Sequence, residues 1–305
     1  MAIVTVRNLK KSYGNVQALH GLDFDVNEGE IYGIIGPDGA GKTSLFRILT
    51  TLLLPNDGMA TVAGLDVVKD YKQIRKQIGY MPGRFSLYPD LSVEENLTFF
   101  ATIFNTTIQE NYHLVEDIYK QIEPFRTRKA GKLSGGMKQK LALSCALIHA
   151  PKVLFLDEPT TGVDPVSRKE FWEMLRKLKQ HGITIMVSTP YMDEAILCDR
   201  IALIQDGEFM EVDTPQNITS GYSETIWSVK SNQMHQLLND LRQYIEVTSA
   251  FSFGETFHVT VCEGTSIDAL AAFLKDKGHE GIEIVPIHAS IEDCFMLLTG
   301  QKNER

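Results

Sequence analysis

The sequence predicts an α/β core with a largely parallel sheet, a helical insertion within that core, and a small α+β domain of ferredoxin-like order behind it. Three observations predict this. Short apolar runs (AIVTV, IYGIIG, VLFLD and ITIMVST) are separated by helical patterns and Gly/Pro punctuation. From Arg84 to about Lys132 no comparable run occurs and the pattern is mainly helical. After Pro215 the order becomes β-α-β-β-α-β.

Taken in order, the opening MAIVTVRNLKKSYG alternates apolar and polar residues and reads as a first strand, without the apolar centre of a leader peptide. IYGIIG and VLFLD are continuously apolar, as strands buried on both faces are. In the insertion, SVEENLTFFATIF and NYHLVEDIYKQI read as helices, the first opened by the capping box Ser92-x-x-Glu95. Its aromatic residues, Phe85, Tyr88, Phe99, Phe100 and Phe104, fit a subdomain core when taken one at a time. Beyond Pro215, TIWSV, YIEVTS and TFHVTV read as strands and residues 232–241 and 266–276 as helices, followed by a strand near 282–285 and a helix near 291–298. The expected domains are therefore 1–215, with the helical insertion at about 84–132, and 216–305. The second shows no catalytic constellation and reads as a packing or dimerisation module.

A chain of 305 residues has the length of two domains, and 43% hydrophobic with 23% charged residues is a globular balance. The net charge of −9 argues against nucleic acid as a partner. Twelve acidic and six basic residues lie within 216–305, so most of the excess sits in the second domain. The cysteines Cys145, Cys198, Cys262 and Cys294 lack zinc-site spacing and read as mostly buried, reduced thiols of a cytosolic protein. No stretch approaches the ~20 apolar residues that a bilayer-spanning helix needs.

The sharpest chemical signal is Gly36-Pro37-Asp38-Gly39-Ala40-Gly41-Lys42-Thr43, a G-x-x-x-x-G-K-[ST] loop between the strand IYGIIG and the helical SLFRILTTLL. Glycines are needed there because successive backbone N–H groups must turn inward around a phosphate, at distances a Cβ would obstruct. The following helix aims its positive end at the same anion. Lys42 reaches the β- and γ-phosphates, Thr43 offers its hydroxyl to Mg²⁺, and Ser44 touches the α-phosphate. Val153–Glu158 is an apolar strand ending in two carboxylates: Asp157 is the expected Mg²⁺ ligand and Glu158 the general base.

Between these elements lies Leu133-Ser134-Gly135-Gly136-Met137, and beyond them Thr161-Gly162-Val163-Asp164. With these residues the chain resembles the ATP-binding cassette (ABC) ATPases, P-loop NTPases with an LSGGQ-type signature and a D-loop. STPYMDEAILCDRIALIQDG and the C-terminal extension narrow the resemblance to the ATPase subunits of ABC-2 exporters of the daunorubicin-resistance type. The resemblance covers residues 2–215 strongly and the rest more weakly. It implies ATP and Mg²⁺ as ligands, and a head-to-tail cassette dimer in which Ser134, Gly135 and Gly136 act on the partner's γ-phosphate. It further implies Asp164 at the same interface, Tyr13 stacked on adenine, and ABC-2 permease subunits holding the chain peripherally at the cytoplasmic face of the membrane. The insertion would then form a groove for a permease coupling helix, entered at Gly83 and Arg84.

Two departures from the family pattern stand out, beyond Met137 for the signature glutamine and Asp38 for an asparagine. Gly83 stands where the family has a glutamine that contacts Mg²⁺ and the attacking water. Pro190 stands where it has a histidine on the γ-phosphate, and offers neither a side-chain donor nor an N–H. Three arrangements follow: the degenerate half of a heterodimer, a homodimer with two slow sites, or an ATP-responsive regulatory module. The first is favoured, because the signature that would serve a partner is kept. Cassettes of DNA repair carry long coiled coils between phosphate loop and signature, whereas Lys42 and Ser134 are 92 positions apart. Translation-type members carry two cassettes in one chain, and this chain has one. The adjacent Asp193 and Glu194 read as solvated carboxylates at a helix start.

Overall fold

The computed structural model describes residues 1–84 and 86–303, so Phe85 lies outside the described residues. The chain divides into two compact units, Met1–Pro215 and the residues from Gln216 onward. The first begins with β1 (Ala2–Tyr13), β2 (Val16–Asn27), β3 (Ile31–Ile35), α1 (Lys42–Leu49), β4 (Asp57–Val62), β5 (Leu65–Asp66), α2 (Tyr71–Ile74) and β6 (Ile78–Met81). It continues with α3 (Val93–Ile103), α4 (Tyr112–Ile122), α5 (Gly135–Leu147), β7 (Val153–Asp157), α6 (Pro165–Gln180), β8 (Thr184–Thr189), β9 (Arg200–Gln205) and β10 (Glu208–Asp213). The short α7 (Pro215–Ser220) follows.

Six strands form a sheet in the order β10-β9-β3-β8-β7-β6, parallel except for the β9–β10 hairpin. β3, β7 and β8 are buried at every position, which is why their centres read as apolar runs, with Asp157, Thr184, Ser188 and Thr189 as buried polar residues at the strand ends. A second, antiparallel sheet, β2-β1-β4-β5, packs its apolar side into the same core as α1. Phe46 of α1 meets Phe155 of β7 edge-to-face at 5.9 Å, so the helix that follows the phosphate loop is anchored to the strand that carries Asp157.

The insertion is helical, as expected. The Ser92 side chain accepts from Glu95 N–H at 3.2 Å and the Glu95 carboxylate accepts from Ser92 N–H at 2.7 Å, completing the capping box. Fully buried Asn96 bonds Tyr88, Leu91 and Ser92 backbone groups and so fixes the chain's entry into α3. Ser92→Ala should cost about 1 kcal/mol in chemical denaturation, with helix α3 the element loosened in amide exchange. Of the singled-out aromatic residues, the four that are described do not form the buried subdomain core. That core is aliphatic (Val93, Leu97, Val115, Ile118, Ile122, Leu141), while Tyr88 and Phe99 are exposed and Phe100 and Phe104 half-buried. Of the rings in this insertion, Tyr119 joins the aliphatic side chains in the buried seam, while Tyr88, Phe99 and Phe100 pack edge-to-face on one another at the less buried positions.

The second unit comprises β11 (Thr225–Lys230), α8 (Met234–Leu241), β12 (Val247–Phe253), β13 (Thr256–Val261), α9 (Ile267–Asp276), β14 (Glu283–Ile287) and α10 (Ile291–Asn303). The all-antiparallel order β12-β13-β11-β14 is the ferredoxin-like arrangement. β12 starts three residues later than YIEVTS suggests, because Val247 N–H closes a turn on Tyr244 O at 3.0 Å. β14 runs through Pro286, which an edge strand tolerates. Ser231 Oγ, His279 and Asp240 are aligned by hydrogen bonds of 3.0 Å on each side of the imidazole. Ser231 and His279 are each only 3% exposed and Ser231 Oγ also accepts Gln233 N–H, so this line is a buried structural clasp. Cys145, Cys198 and Cys294 are buried and Cys262 is exposed. Among the described residues, no helix is long and apolar enough to cross a membrane.

Candidate functional site

The singled-out residues gather at the carboxyl ends of the parallel strands, where open α/β sheets bind ligands. The loop Gly36–Gly41 leaves β3, Asp157 is the last residue of β7, Thr189 is the last of β8, and Gly83 lies two residues beyond β6. Gly36 is obligatory, since a Cβ there would lie 2.1 Å from Ile204 O. Gly39 and Gly41 have φ of +82° and +102°, turning the loop back over its own peptide groups. Gly39 has open space on its Cβ side, and Ala40 is pinned by Gly207 N–H on its carbonyl at 3.1 Å. Asp38 is exposed beside them.

Lys42, only 3% exposed, donates to Gly36 O at 2.8 Å and Pro37 O at 2.9 Å and pairs with Glu158 Oε1 at 3.1 Å. A buried ammonium held by two carbonyls and a carboxylate has a fixed position, aimed at the loop it stabilises. Helix α1 opens on Gly41 with no side-chain cap, so its first N–H groups are available to an anion. Thr43 Oγ1 donates to Asp157 Oδ1 at 3.2 Å, and Ser188 Oγ donates to the same oxygen at 2.7 Å. A hydroxyl beside a buried carboxylate is a hard-oxygen pair suited to Mg²⁺. The uncapped helix, the fixed ammonium and this oxygen pair fit a Mg²⁺-bound polyphosphate. Tyr13, 47% exposed at the end of β1, is in hydrogen-bond contact with Ser44 Oγ through its hydroxyl at 3.1 Å, and Lys11 Nζ lies 5.4 Å from its ring centroid.

Glu158 has φ +50°, rare for a residue with a side chain. Its N–H is held by both Ser188 O and Ser188 Oγ at 3.0 Å. Ser188 was not singled out in the sequence. A hydroxyl on a fully buried strand must find partners, and that was its only signal. Position 83 packs directly on this pair: a Cβ on Gly83 would lie 3.0 Å from Asp157 O and 3.7 Å from Glu158 Cβ. A glutamine side chain there would reach the site, and glycine cannot. Pro190 follows Thr189 with no N–H to offer.

The signature residues form a separate group. Exposed Ser134 caps α5, accepting Met137 N–H at 3.4 Å. Gly136 packs on Ser167 of α6, where a Cβ would come 2.9 Å from Oγ. Asp164 caps α6 through Ser167 N–H at 3.0 Å, and that hydrogen bond holds its carboxyl below the usual range. Among the described residues no hydrogen bond or ion pair joins Ser134–Gly136 to Lys42, Thr43, Asp157 or Glu158.

Asp193 and Glu194 correct the sequence reading. They lie in a 3-10 turn, Met192–Leu197, and only Asp193 is solvated. Glu194 is 2% exposed and accepts from Thr189 Oγ1 at 2.6 Å, Thr160 Oγ1 at 3.1 Å and Arg168 Nε at 3.1 Å. Away from this site, Phe100, Ile103, Phe104, Leu52, Cys145 and His149 line a mainly apolar groove of about 370 Å³. Phe104 stacks on His149 at 3.7 Å, and burial pushes the His149 imidazole below its ordinary range.

A phosphate loop at the head of a helix, a carboxylate-tipped strand beside it and a serine-capped glycine pair on a second helix define an ATP-binding cassette. Residues 19–161 match the ABC transporter family. The chain is 35% identical over 306 residues to the Nod factor export ATP-binding protein I of Burkholderia orbicola (strain AU 1054), covering 99% of this chain and 98% of that one. The chain therefore belongs to the ABC transporter family, among its ATP-binding subunits. It is also 35% identical over 317 residues to the daunorubicin resistance ATP-binding protein DrrA2 of Streptomyces coeruleorubidus, covering 99% and 96%. Identity reaches 43% over 222 residues with the probable multidrug ABC transporter ATP-binding protein YbhF of Escherichia coli (strain K12), where the chain spans 38% of the relative's length. Among solved structures, a dimeric post-hydrolysis state of the ATP-binding cassette MJ0796 bound to ADP and Pi is similar with a TM-score of 0.63 and 27% identity, covering 69% of this chain and 98% of that one.

Proposed function

We propose that this chain is the ATP-binding and ATP-hydrolysing subunit of an ABC-2 type exporter, working in a head-to-tail cassette dimer as the degenerate half of a heterodimer. The export names of full-length relatives support the transport role. The dimeric neighbour holding ADP and Pi supports the sandwiched nucleotide. The observation that carries the asymmetric reading is an intact Ser134–Gly136, its serine exposed, in a chain whose own site has Gly83 and Pro190 at its two water- and phosphate-positioning places.

In this reading Lys42 and the N–H groups opening α1 bind the phosphates, Ser44 the α-phosphate, and Tyr13 carries the adenine. Thr43 and Asp157 hold Mg²⁺, which when bound neutralises charge on the phosphate oxygens. Water attacks the γ-phosphorus, the bond to the β–γ bridging oxygen breaks, and Glu158 takes the water's proton. The carboxylates would otherwise repel the polyphosphate; Lys42 engages Glu158 and two hydroxyls engage Asp157. The groove of Phe100, Phe104 and His149 is the surface we assign to a permease coupling segment, which would hold the chain peripherally on the membrane.

Retention of Glu158 on Lys42 favours the second reading, a homodimer with two slow sites. Purifying the tagged chain from membranes separates the two. A heterodimer brings down permease subunits and a second cassette with glutamine and histidine at the positions of Gly83 and Pro190; a homodimer brings down no second cassette. The purified chain should turn over well below the ordinary enzyme range of roughly 1–10³ s⁻¹. Gly83→Gln with Pro190→His should raise its rate about tenfold or more, as regained positioning groups do. Ordinary turnover by the unaltered chain would contradict the degenerate site.

A further inference from the structure

The buried Glu194 carboxylate lies outside the roles assigned above, yet it joins three segments of the site. One oxygen, Oε2, accepts from Thr160, two residues beyond Glu158, and from Thr189, the last residue of β8. The other, Oε1, accepts from Arg168 Nε, four residues beyond Asp164 in α6. Arg168 is held twice more on the same turn. Its Nη2 bonds Asp193 at 3.2 Å, and its guanidinium lies 4.2 Å over the Tyr191 ring. Thr189 Oγ1 donates to Glu194 and accepts Tyr191 N–H at 3.1 Å, so the bonds close around Pro190 on both sides. Thr160 and Thr189 are 1% and 0% exposed, so neither hydroxyl has water as an alternative partner.

We propose that Glu194 is a positioning residue for ATP hydrolysis at this chain's own site. It clamps the loop after Glu158, the end of β8 and the start of α6 into one register. Glu158 needs such support: it sits at φ +50°, its N–H is held from Ser188 on β8, and Thr161 N–H bonds its carbonyl at 3.2 Å. Both anchors are next to residues that Glu194 grips, Thr189 after Ser188 and Thr160 before Thr161. Pro190 offers neither a side-chain donor nor an N–H, so the hydrogen bonds that hold this segment run through Thr189 to the buried carboxylate. Among the described residues the side-chain partners of Glu194 are Thr160, Thr189 and Arg168 rather than the phosphate loop, so it acts on hydrolysis through Glu158.

The inference rests on Glu158 as the base, and the experiment separates the two ideas. In the purified full chain, Glu194→Gln, Arg168→Gln, the double variant and Glu158→Gln are compared for Mg·ATP affinity, for single-turnover hydrolysis of bound ATP, and for amide exchange at Tyr191. Glu194→Gln keeps the shape and can accept one threonine hydroxyl, but loses the pairing with Arg168. The expected result is hydrolysis about tenfold slower or more, as for lost positioning groups, with affinity changed less than about threefold and faster exchange at Tyr191. The double variant should be no slower than the slower single one, since the two residues act as one unit. Unchanged hydrolysis and exchange in Glu194→Gln overturn the proposal, as does a rate loss matched by equal loss of affinity or of folded protein. If Glu158→Gln leaves the rate intact, the base assignment fails, and the Tyr191 exchange alone decides whether the clamp exists.

Discussion

Lys42→Ala is expected to abolish tight Mg·ATP binding by this chain. The ammonium is buried and held by Gly36 O, Pro37 O and Glu158, so it meets the polyphosphate from a fixed place with little water around it. A unit charge pair about 4 Å apart near a protein surface interacts by roughly 4 kcal/mol, about a thousandfold in affinity. The loss is compounded, because Glu158 is left as an unpaired carboxylate facing the incoming anion. Lys42→Met, which keeps the volume of the stem, should lose as much; a comparable loss in both variants assigns the effect to charge. Calorimetric titration of the folded variants reads it, and unchanged affinity would sink the phosphate-site assignment.

The phosphate site was legible because its chemistry is local. Gly36, Gly39, Gly41, Lys42 and Thr43 are neighbours in sequence and sit together at the head of α1. The carboxylates Asp157 and Glu158 were legible for the same reason, being the polar end of an apolar strand. What was not legible joins distant segments. Ser188 meets Asp157 and Glu158 only because β7 and β8 pair in register, with Asp157 opposite Ser188. Asp193 and Glu194 look alike in sequence, but a 3-10 turn of about three residues separates adjacent side chains by a third of a turn, sending one to solvent and one inward. The antiparallel sheet of the first unit was missed because its alternation is broken. β1 shifts register on β2 between Val6 and Leu9, beside Asn8 at φ +46°, and β2 carries Gly21 at φ +108°. A period of two that slips in mid-strand no longer stands out as a period.

The second large effect tests the proposed asymmetry between the two ATP sites of an assembled transporter. Ser134 is exposed at the head of α5, where its hydroxyl accepts Met137 N–H, and Gly136 rests on Ser167, where a Cβ would come 2.9 Å from Oγ. That arrangement presents a serine and a helix N-terminus outward, rigidly backed by α6. If this face completes the partner's site, Ser134→Arg in this chain should stop ATP hydrolysis by the assembled transporter, since a long cationic side chain replaces a small hydroxyl where the opposing γ-phosphate must fit. The loss of such a stabilising group commonly costs about 10²–10³-fold, and the added bulk deepens it. Glu158→Gln alters only the chain's own site, already without donors at Gly83 and Pro190, and should lower turnover severalfold at most. The comparison belongs in the reconstituted complex with its permease subunits, because the site that Ser134 would complete on a partner cassette exists only there. Should Glu158→Gln prove as inactive as Ser134→Arg, this chain's own site is essential to turnover, and the two-site homodimer replaces the degenerate heterodimer.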